Sequence, residues 1–126
     1  MSAKKFSIID RIKSFHHAFS GLQALFREEH NARVHLAITL LVIILGAFFS
    51  VSATEWIVIV LTVGFVFVTE ILNTAVEHIA DFISPQRDDR IKRIKDLGAA
   101  AVLLSAITAV VIGVIIFLPK LGELFF

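Results

Sequence analysis

Apolar residues in this chain gather into three long blocks, at 34–53, 56–75 and 99–118. Each is about 20 residues long, which at ~1.5 Å per residue carries a helix across about 30 Å of hydrocarbon. The segment before them has a different rhythm. Phe6, Ile8, Ile9, Ile12, Phe15, Phe19, Leu22 and Phe26 recur mostly at three- and four-residue steps, with Lys5, Arg11, Lys13 and His16 between them. That spacing predicts an amphipathic helix lying in the headgroup layer, an anchor first and a lid over a lipid-facing site as the sharper alternative. Together these patterns predict an all-α membrane protein. A surface helix covers 5–27, and transmembrane helices cover 28–53, 55–83 and 93–118, in a single domain over 1–126.

The second block carries polar residues where none are expected. Glu70, Asn73, Glu77 and Asp81 stand at i, i+3, i+7 and i+11 and so share one side of a helix. Glu70 directly follows 56–69, a run without a single charge. A charged side chain at membrane depth costs roughly 2.5–3.5 kcal/mol on insertion scales. Two carboxylates and an amide aligned there need a shared reason, and chemistry or cation binding supplies one where routine packing does not. Trp56 marks the outer interface. Counting inward, Glu70 lies about 21 Å down, Glu77 near the inner headgroups and Asp81 in the cytoplasmic interface. A deep carboxylate suits a general base. A shallower one suits Mg²⁺, which takes oxygen ligands and travels with nucleotide phosphates. Asn73 can both donate and accept hydrogen bonds.

Composition agrees with the pattern. Of 126 residues, 57% are hydrophobic and only 18% charged, with a mean hydropathy of +0.87. What remains outside the blocks is too short for a separate soluble domain. The first 33 positions lack the early apolar core of a secretory signal. With no cysteine, disulfides, thiolate nucleophiles and thiolate metal sites are excluded. The net charge of +1 says nothing about partners, among which no nucleic acid is expected, but its distribution sets an orientation. Lys4, Lys5, Arg11, Lys13, Arg27 and Arg33 precede the first span, and Arg87, Arg90, Lys92, Arg93 and Lys95 lie between the second and third. Residues 50–55 carry no basic group and the C-terminal tail only Lys120. The positive-inside rule therefore places the N-terminus and the 82–98 connection in the cytoplasm and the C-terminus outside.

Two further clusters flank the spans. The first span opens with Glu28, Glu29, His30, Asn31, Arg33 and His35, which taken alone describe a solvated helix end with snorkelling side chains. His30 and His35 are five apart and point to different faces, a poor zinc pair. His16 and His17 read as surface groups, and His78 as structural or interfacial. Ile83-Ser84-Pro85 stops the second span, a charged connection follows over 86–95, and the third span opens with Lys95-Asp96-Leu97-Gly98. Lys95 can neutralise phosphate, Asp96 can orient ribose or a metal-bound water, and the small residues 98–101 let a neighbouring helix approach. Neither a GxxxxGK[ST] loop nor a GxGxxG motif occurs.

Taken together, the stretch from Glu70 through Asn73 and Glu77 to Asp81 and the later Lys95-Asp96-Leu-Gly-Ala-Ala-Ala resemble the bacterial integral-membrane diacylglycerol kinase family. The cluster Glu29-x-Asn31-x-Arg33-x-His35 resembles the start of the first span in that family, in a form closer to its undecaprenol kinase branch. The likeness spans about residues 11–118. It implies a homotrimer in the bacterial inner membrane, with active sites between subunits. It also implies ATP- and Mg²⁺-dependent phosphorylation of a membrane lipid hydroxyl, on diacylglycerol or undecaprenol, at the cytoplasmic interface. By position, Glu70 matches the base, and Glu29 and Glu77 match the metal carboxylates that also face ATP. Lys95 and Asp96 match nucleotide contacts, and Gln86, Arg87 and Asp88 occupy the nucleotide loop with altered identities. Asn73, Asn31, Arg33 and Asp81 match supporting or substrate-side positions. Asp10 and Ala99 depart from the enterobacterial pattern, which has a basic and a small hydroxyl residue there.

Other classes remain to be weighed. A membrane-embedded Glu70 also suits a proton- or cation-coupled transporter, although three spans cannot form an inverted repeat and the polar stripe stops short of the outer half. A membrane assembly factor would use the carboxylates for subunit contacts alone. For a lipid kinase, the basic connection should gather ATP beside Glu77 while Glu70 faces a groove open to lipid.

Overall fold

Four helices account for nearly all of residues 3–126, the part of the chain described by the computed structural model: α1 (Ile8–Glu28), α2 (His30–Phe48), α3 (Ala53–Ile83) and α4 (Asp89–Phe125). The last three are long and apolar enough to cross a membrane. No strand occurs among the described residues.

A single extended residue, Glu29 (φ −101°, ψ 112°), separates α1 from α2. Such a corner leaves carbonyls at the end of α1 without helical partners. Arg33 supplies donors by folding back: its Nε donates to Phe26 O at 2.8 Å, and its guanidinium also donates to Arg27 O. Leu25 and Ala32 are buried at the corner, and Phe26 meets Phe67 of α3 edge-on at 5.8 Å between centroids.

At the other end α2 stops at Phe48, five residues before the expected 53. The cause is a Schellman motif. Val51 N–H donates to Gly46 O at 3.1 Å and Ser50 N–H to Ala47 O at 3.3 Å, with Ser50 left-handed at φ 51°. Gly46 is needed for a second reason, because a Cβ there would sit 2.6 Å from the Trp56 ring. Ser52 and Glu55 then form a reciprocal capping box at the start of α3.

α3 ends at Ile83, before Ser84-Pro85 as the sequence suggests. α4 differs from expectation at both ends, starting at Asp89 rather than 93 and running through Pro119 to Phe125 rather than stopping at 118. Asp88 caps it, accepting from Arg90 N–H at 2.8 Å, so only five residues, 84–88, remain non-helical in the charged connection. At ~1.5 Å per residue α3 and α4 measure about 46 and 55 Å, and both extend past the hydrocarbon layer.

α3 and α4 form the principal interface, with α1 and α2 packed more lightly. Its end nearest the α2–α3 turn is a cluster of Val51, Ile59, Ile116 and Phe117. Lys120 of α4 closes that end on Glu55 at 2.9 Å, so the isolated basic residue of the tail pins α4 to α3. Midway, Thr69 and Ser105 join the two helices through their hydroxyls at 2.9 Å. Only 11–17% of the three span windows is buried within the protomer. The rest of this apolar surface faces outward, as lipid or a neighbouring subunit requires.

A non-glycine residue in the left-handed region costs roughly 1 kcal/mol. Ser50→Gly should therefore raise the thermal unfolding midpoint in detergent without changing activity.

Candidate active site

Glu70 lies in the middle of α3 and is 2% exposed. Enclosure of a carboxylate at this depth requires partners from other helices, and α2 supplies one. His35 Nε2 lies 3.1 Å from Glu70 Oε1. The alignment falls short of a hydrogen bond, and Oε1 has no hydrogen-bonded partner. Glu29, at the α1–α2 corner, and Glu77, two turns along α3, lie within electrostatic reach of the same carboxylate. The structure thus sets a histidine of α2 against the buried carboxylate of α3.

Asn73 faces α4, where Gly98 leaves room for it. A Cβ on Gly98 would collide with Asn73 Oδ1. That oxygen and Thr74 Oγ1 are also buried without a hydrogen-bond partner, so a line of free acceptors runs along α3 from Glu70 through Asn73 to Thr74. The close approach expected of residues 98–101 is present, and it serves the amide directly.

Nearer the α3–α4 connection, the expected nucleotide contacts Lys95 and Asp96 are each paired with another side chain. Lys95 pairs with Asp81 across α3 and α4, and Lys92 pairs with Asp96 one turn along α4 at 2.6 Å. Gln86, Arg87 and Asp88 share the short connection; Ser84 Oγ donates to Gln86 O at 3.2 Å. The side-chain hydrogen bond from Arg90, followed by its backbone N–H, holds the Asp88 carboxyl below the usual range. The cap it forms is therefore present above the ordinary carboxylate pKa and fades as pH falls through the lowered one. Asn31 is exposed on the first turn of α2, while Arg33 is committed to the α1 carbonyls. His78 sits 3.5 Å from Glu28, tying α3 to the end of α1.

Two expectations are corrected here. His35 is not a solvated group at a helix end: it lies more than a turn inside α2, 19% exposed, against Glu70. Glu70 in turn does not face an open groove within the protomer, because His35 covers it. An apolar cavity of about 270 Å³ lies outward of the pair instead, between α2, α3 and α4, with His35 and Val66 at its inner end and Ile116 and Phe117 at its outer end. The signal for His35 was available: an ionisable group on one span at a depth where another span carries an unpaired acid.

The model of the family described as prokaryotic diacylglycerol kinase matches residues 16–117. The chain belongs to that family. It is similar to an undecaprenol kinase of Bacillus subtilis (strain 168), 41% identical over 109 residues that cover 86% of this chain and 89% of the relative. A diacylglycerol kinase of Synechocystis is 36% identical over 112 residues, 88% of this chain and 64% of that longer protein. A diacylglycerol kinase of Escherichia coli (strain K12) is 32% identical over 100 residues, 79% of this chain and 82% of the relative. Membership identifies an integral-membrane lipid kinase of the diacylglycerol or undecaprenol type. The transporter alternative gains no support.

The Gly98–Asn73 contact yields a test. Gly98→Ala should force Asn73 out of its place and cut lipid phosphorylation by about tenfold or more, whereas Gly113→Ala, in open space on the same helix, should leave the rate within about twofold.

Proposed function

We propose that this protein transfers the γ-phosphoryl group of ATP to the hydroxyl of a membrane lipid at the cytoplasmic interface, with Glu70 as the general base. One observation carries the assignment: Glu70 is a carboxylate buried in the middle of a membrane-spanning helix, with Oε1 making no hydrogen bond although the His35 ring stands 3.1 Å away. A lipid hydroxyl is a donor of the right kind arriving from the right side. Its oxygen attacks the γ-phosphorus, its proton passes to the Glu70 carboxylate, and the bond to the β–γ bridging oxygen breaks as ADP leaves. The form Glu29-x-Asn31-x-Arg33-x-His35 and the similarity to the Bacillus subtilis enzyme both support undecaprenol as the acceptor; diacylglycerol is the second reading, supported by the other relatives.

Among the described residues, no group of three or more His, Asp or Glu side chains could hold a resident metal ion. Mg²⁺ carried by a nucleotide needs only one or two carboxylates beside phosphate and water, and Glu29 and Glu77 fit that lesser demand. They would hold the ion, which would screen phosphate charge. Lys95 and Asp96, with Gln86, Arg87 and Asp88, line the approach from the cytoplasm. The pairs Lys95–Asp81 and Lys92–Asp96 are partly exposed, and such pairs contribute about 0–1 kcal/mol. A polyphosphate can displace Asp81 from Lys95 at small cost. Arg33 fastens the corner at which Glu29 stands, and Asn31 is taken as a supporting position from the family resemblance.

The assembly follows the same logic. The outward apolar faces of α2, α3 and α4 support a homotrimer with sites completed between subunits. The exposed row of Ile8, Ile9, Ile12, Phe15 and Phe19 on α1 supports a helix resting on the membrane. The basic residues before α2 and between α3 and α4 support a cytoplasmic N-terminus and an external C-terminus.

Radiolabelled ATP in mixed micelles, with undecaprenol and diacylglycerol offered side by side, tests the reaction and its acceptor together. Glu70→Gln should lower the rate by about 10²–10⁴-fold while ATP binding survives, and retention of more than about a tenth of the activity would reject Glu70 as the base. Glu29→Ala and Glu77→Ala should each raise the Mg²⁺ concentration needed for half-maximal rate and weaken ATP binding; an unchanged Mg²⁺ requirement in both would remove them from the metal site. In sealed vesicles, phosphorylation should proceed with no imposed ion gradient.

A further inference from the structure

Glu70 is enclosed within a membrane-spanning helix, and an enclosed carboxylate needs a donor to hold it. The nearby hydroxyls do not supply one: Thr74 Oγ1 makes no hydrogen bond, and the other two are engaged elsewhere. Thr69 Oγ1 and Ser105 Oγ lie within hydrogen-bond distance of each other, of Val66 O and of Val102 O. Two hydroxyl hydrogens are then consumed by one bond across the helices and one to a backbone carbonyl. Asn73 makes no hydrogen bond to Glu70 and leaves its own Oδ1 unfilled. Among the described residues, the one ion-pair partner at Glu70 is His35 Nε2, at 3.1 Å.

His35 is itself held in place. Thr39 Oγ1 donates to its carbonyl at 2.7 Å, and fully buried Ala32 sits one turn before it. The ring borders the inner end of the apolar cavity, so it stands between the carboxylate and a hydrocarbon-lined space. On these grounds, and resting on the kinase reading with Glu70 as base, we propose that His35 is a positioning residue: its Nε2 holds the Glu70 carboxylate aimed at the lipid hydroxyl. The role needs one nitrogen at one place, and the 3.1 Å contact tightens into a hydrogen bond when substrate completes the site.

Two substitutions separate this role from packing. His35→Phe preserves the ring and removes the nitrogen; His35→Gln gives up the ring and returns an amide N–H at similar reach. Each is read in the full-length protein by kcat and by KM for ATP and for undecaprenol in mixed micelles. Each is also read by the infrared difference between the protein and its Glu70→Gln counterpart, which isolates the Glu70 carboxyl band. His35→Phe should lower kcat by about tenfold or more, leave KM for ATP within about twofold, and displace the carboxyl band from its wild-type position. His35→Gln should recover most of kcat and hold the band at its wild-type position. The proposal is overturned if His35→Phe keeps more than about half of kcat with the band unmoved, or if His35→Gln recovers neither quantity. Should the wild type label neither lipid, the kinase reading fails separately, and the infrared comparison still decides whether His35 holds Glu70.

Discussion

A carboxylate placed in hydrocarbon has to be enclosed and partnered, and this requirement at Glu70 organises the helices around it. α2 brings His35 to within 3.1 Å of it. α4 comes close because Gly98 and Ser105 present so little bulk, one receiving Asn73 and the other bonding to Thr69. The α1–α2 corner, held by Arg33, brings Glu29 into range. None of these features follows from apolar burial, because most of the apolar surface of the spans is turned outward. Burying an ion pair is at best a weak source of stability, since the desolvation of both groups offsets their attraction. The pair is therefore better explained by what the carboxylate does than by what it holds together.

Register between α3 and α4 is set by polar contacts spread along their length. Glu55 and Lys120 meet at the outer end, Thr69 and Ser105 in the middle, and Asp81 and Lys95 at the inner end. A slip of one residue would break all three at once, while the apolar side chains between them would pack nearly as well in several registers. The three contacts differ in exposure, and so in strength. Ser105 is fully buried, Glu55 and Lys120 are about one-quarter exposed, and Asp81 is 60% exposed. The Asp81–Lys95 pair is thus the easiest to exchange for another anion, as the proposed phosphate contact of Lys95 requires.

Much of this arrangement could be read from the chain. The three spans, the stop at Ser84-Pro85 and the polar stripe from Glu70 to Asp81 all follow from periodicity and from the cost of charge in hydrocarbon. The beginning of α4 did not follow. Residues 86–95 are dense in charge and read as a connection, yet Asp88 caps a helix there and Lys92 supports it through Asp96. Charge density describes contact with water, and a solvated helix satisfies it as well as a loop. The far end was misplaced for a related reason. Pro119 looks like a terminator, but α4 passes through it to Phe125; proline removes a single helical hydrogen bond, and Lys120 anchors the next residue to α3. His35 was missed because its partner lies on another helix, and spacing within one span cannot report a contact between two.

The same limits explain how so short a chain can hold a kinase site without a glycine-rich phosphate loop. Phosphoryl transfer asks for alignment and charge compensation far more than for covalent assistance. A soluble kinase must build a dry, oriented environment from its own core. Here the bilayer supplies the dryness and delivers the acceptor in a fixed orientation, with its hydroxyl at the interface and its hydrocarbon below. On the proposed reading, what remains for protein is a base at the correct depth and charged groups at the cytoplasmic edge. One helix, α3, carries Glu70, Asn73, Glu77 and Asp81 in order along its axis. In that reading their order along a single rigid axis separates lipid chemistry from nucleotide chemistry, and an amphipathic stripe takes the place of a binding fold.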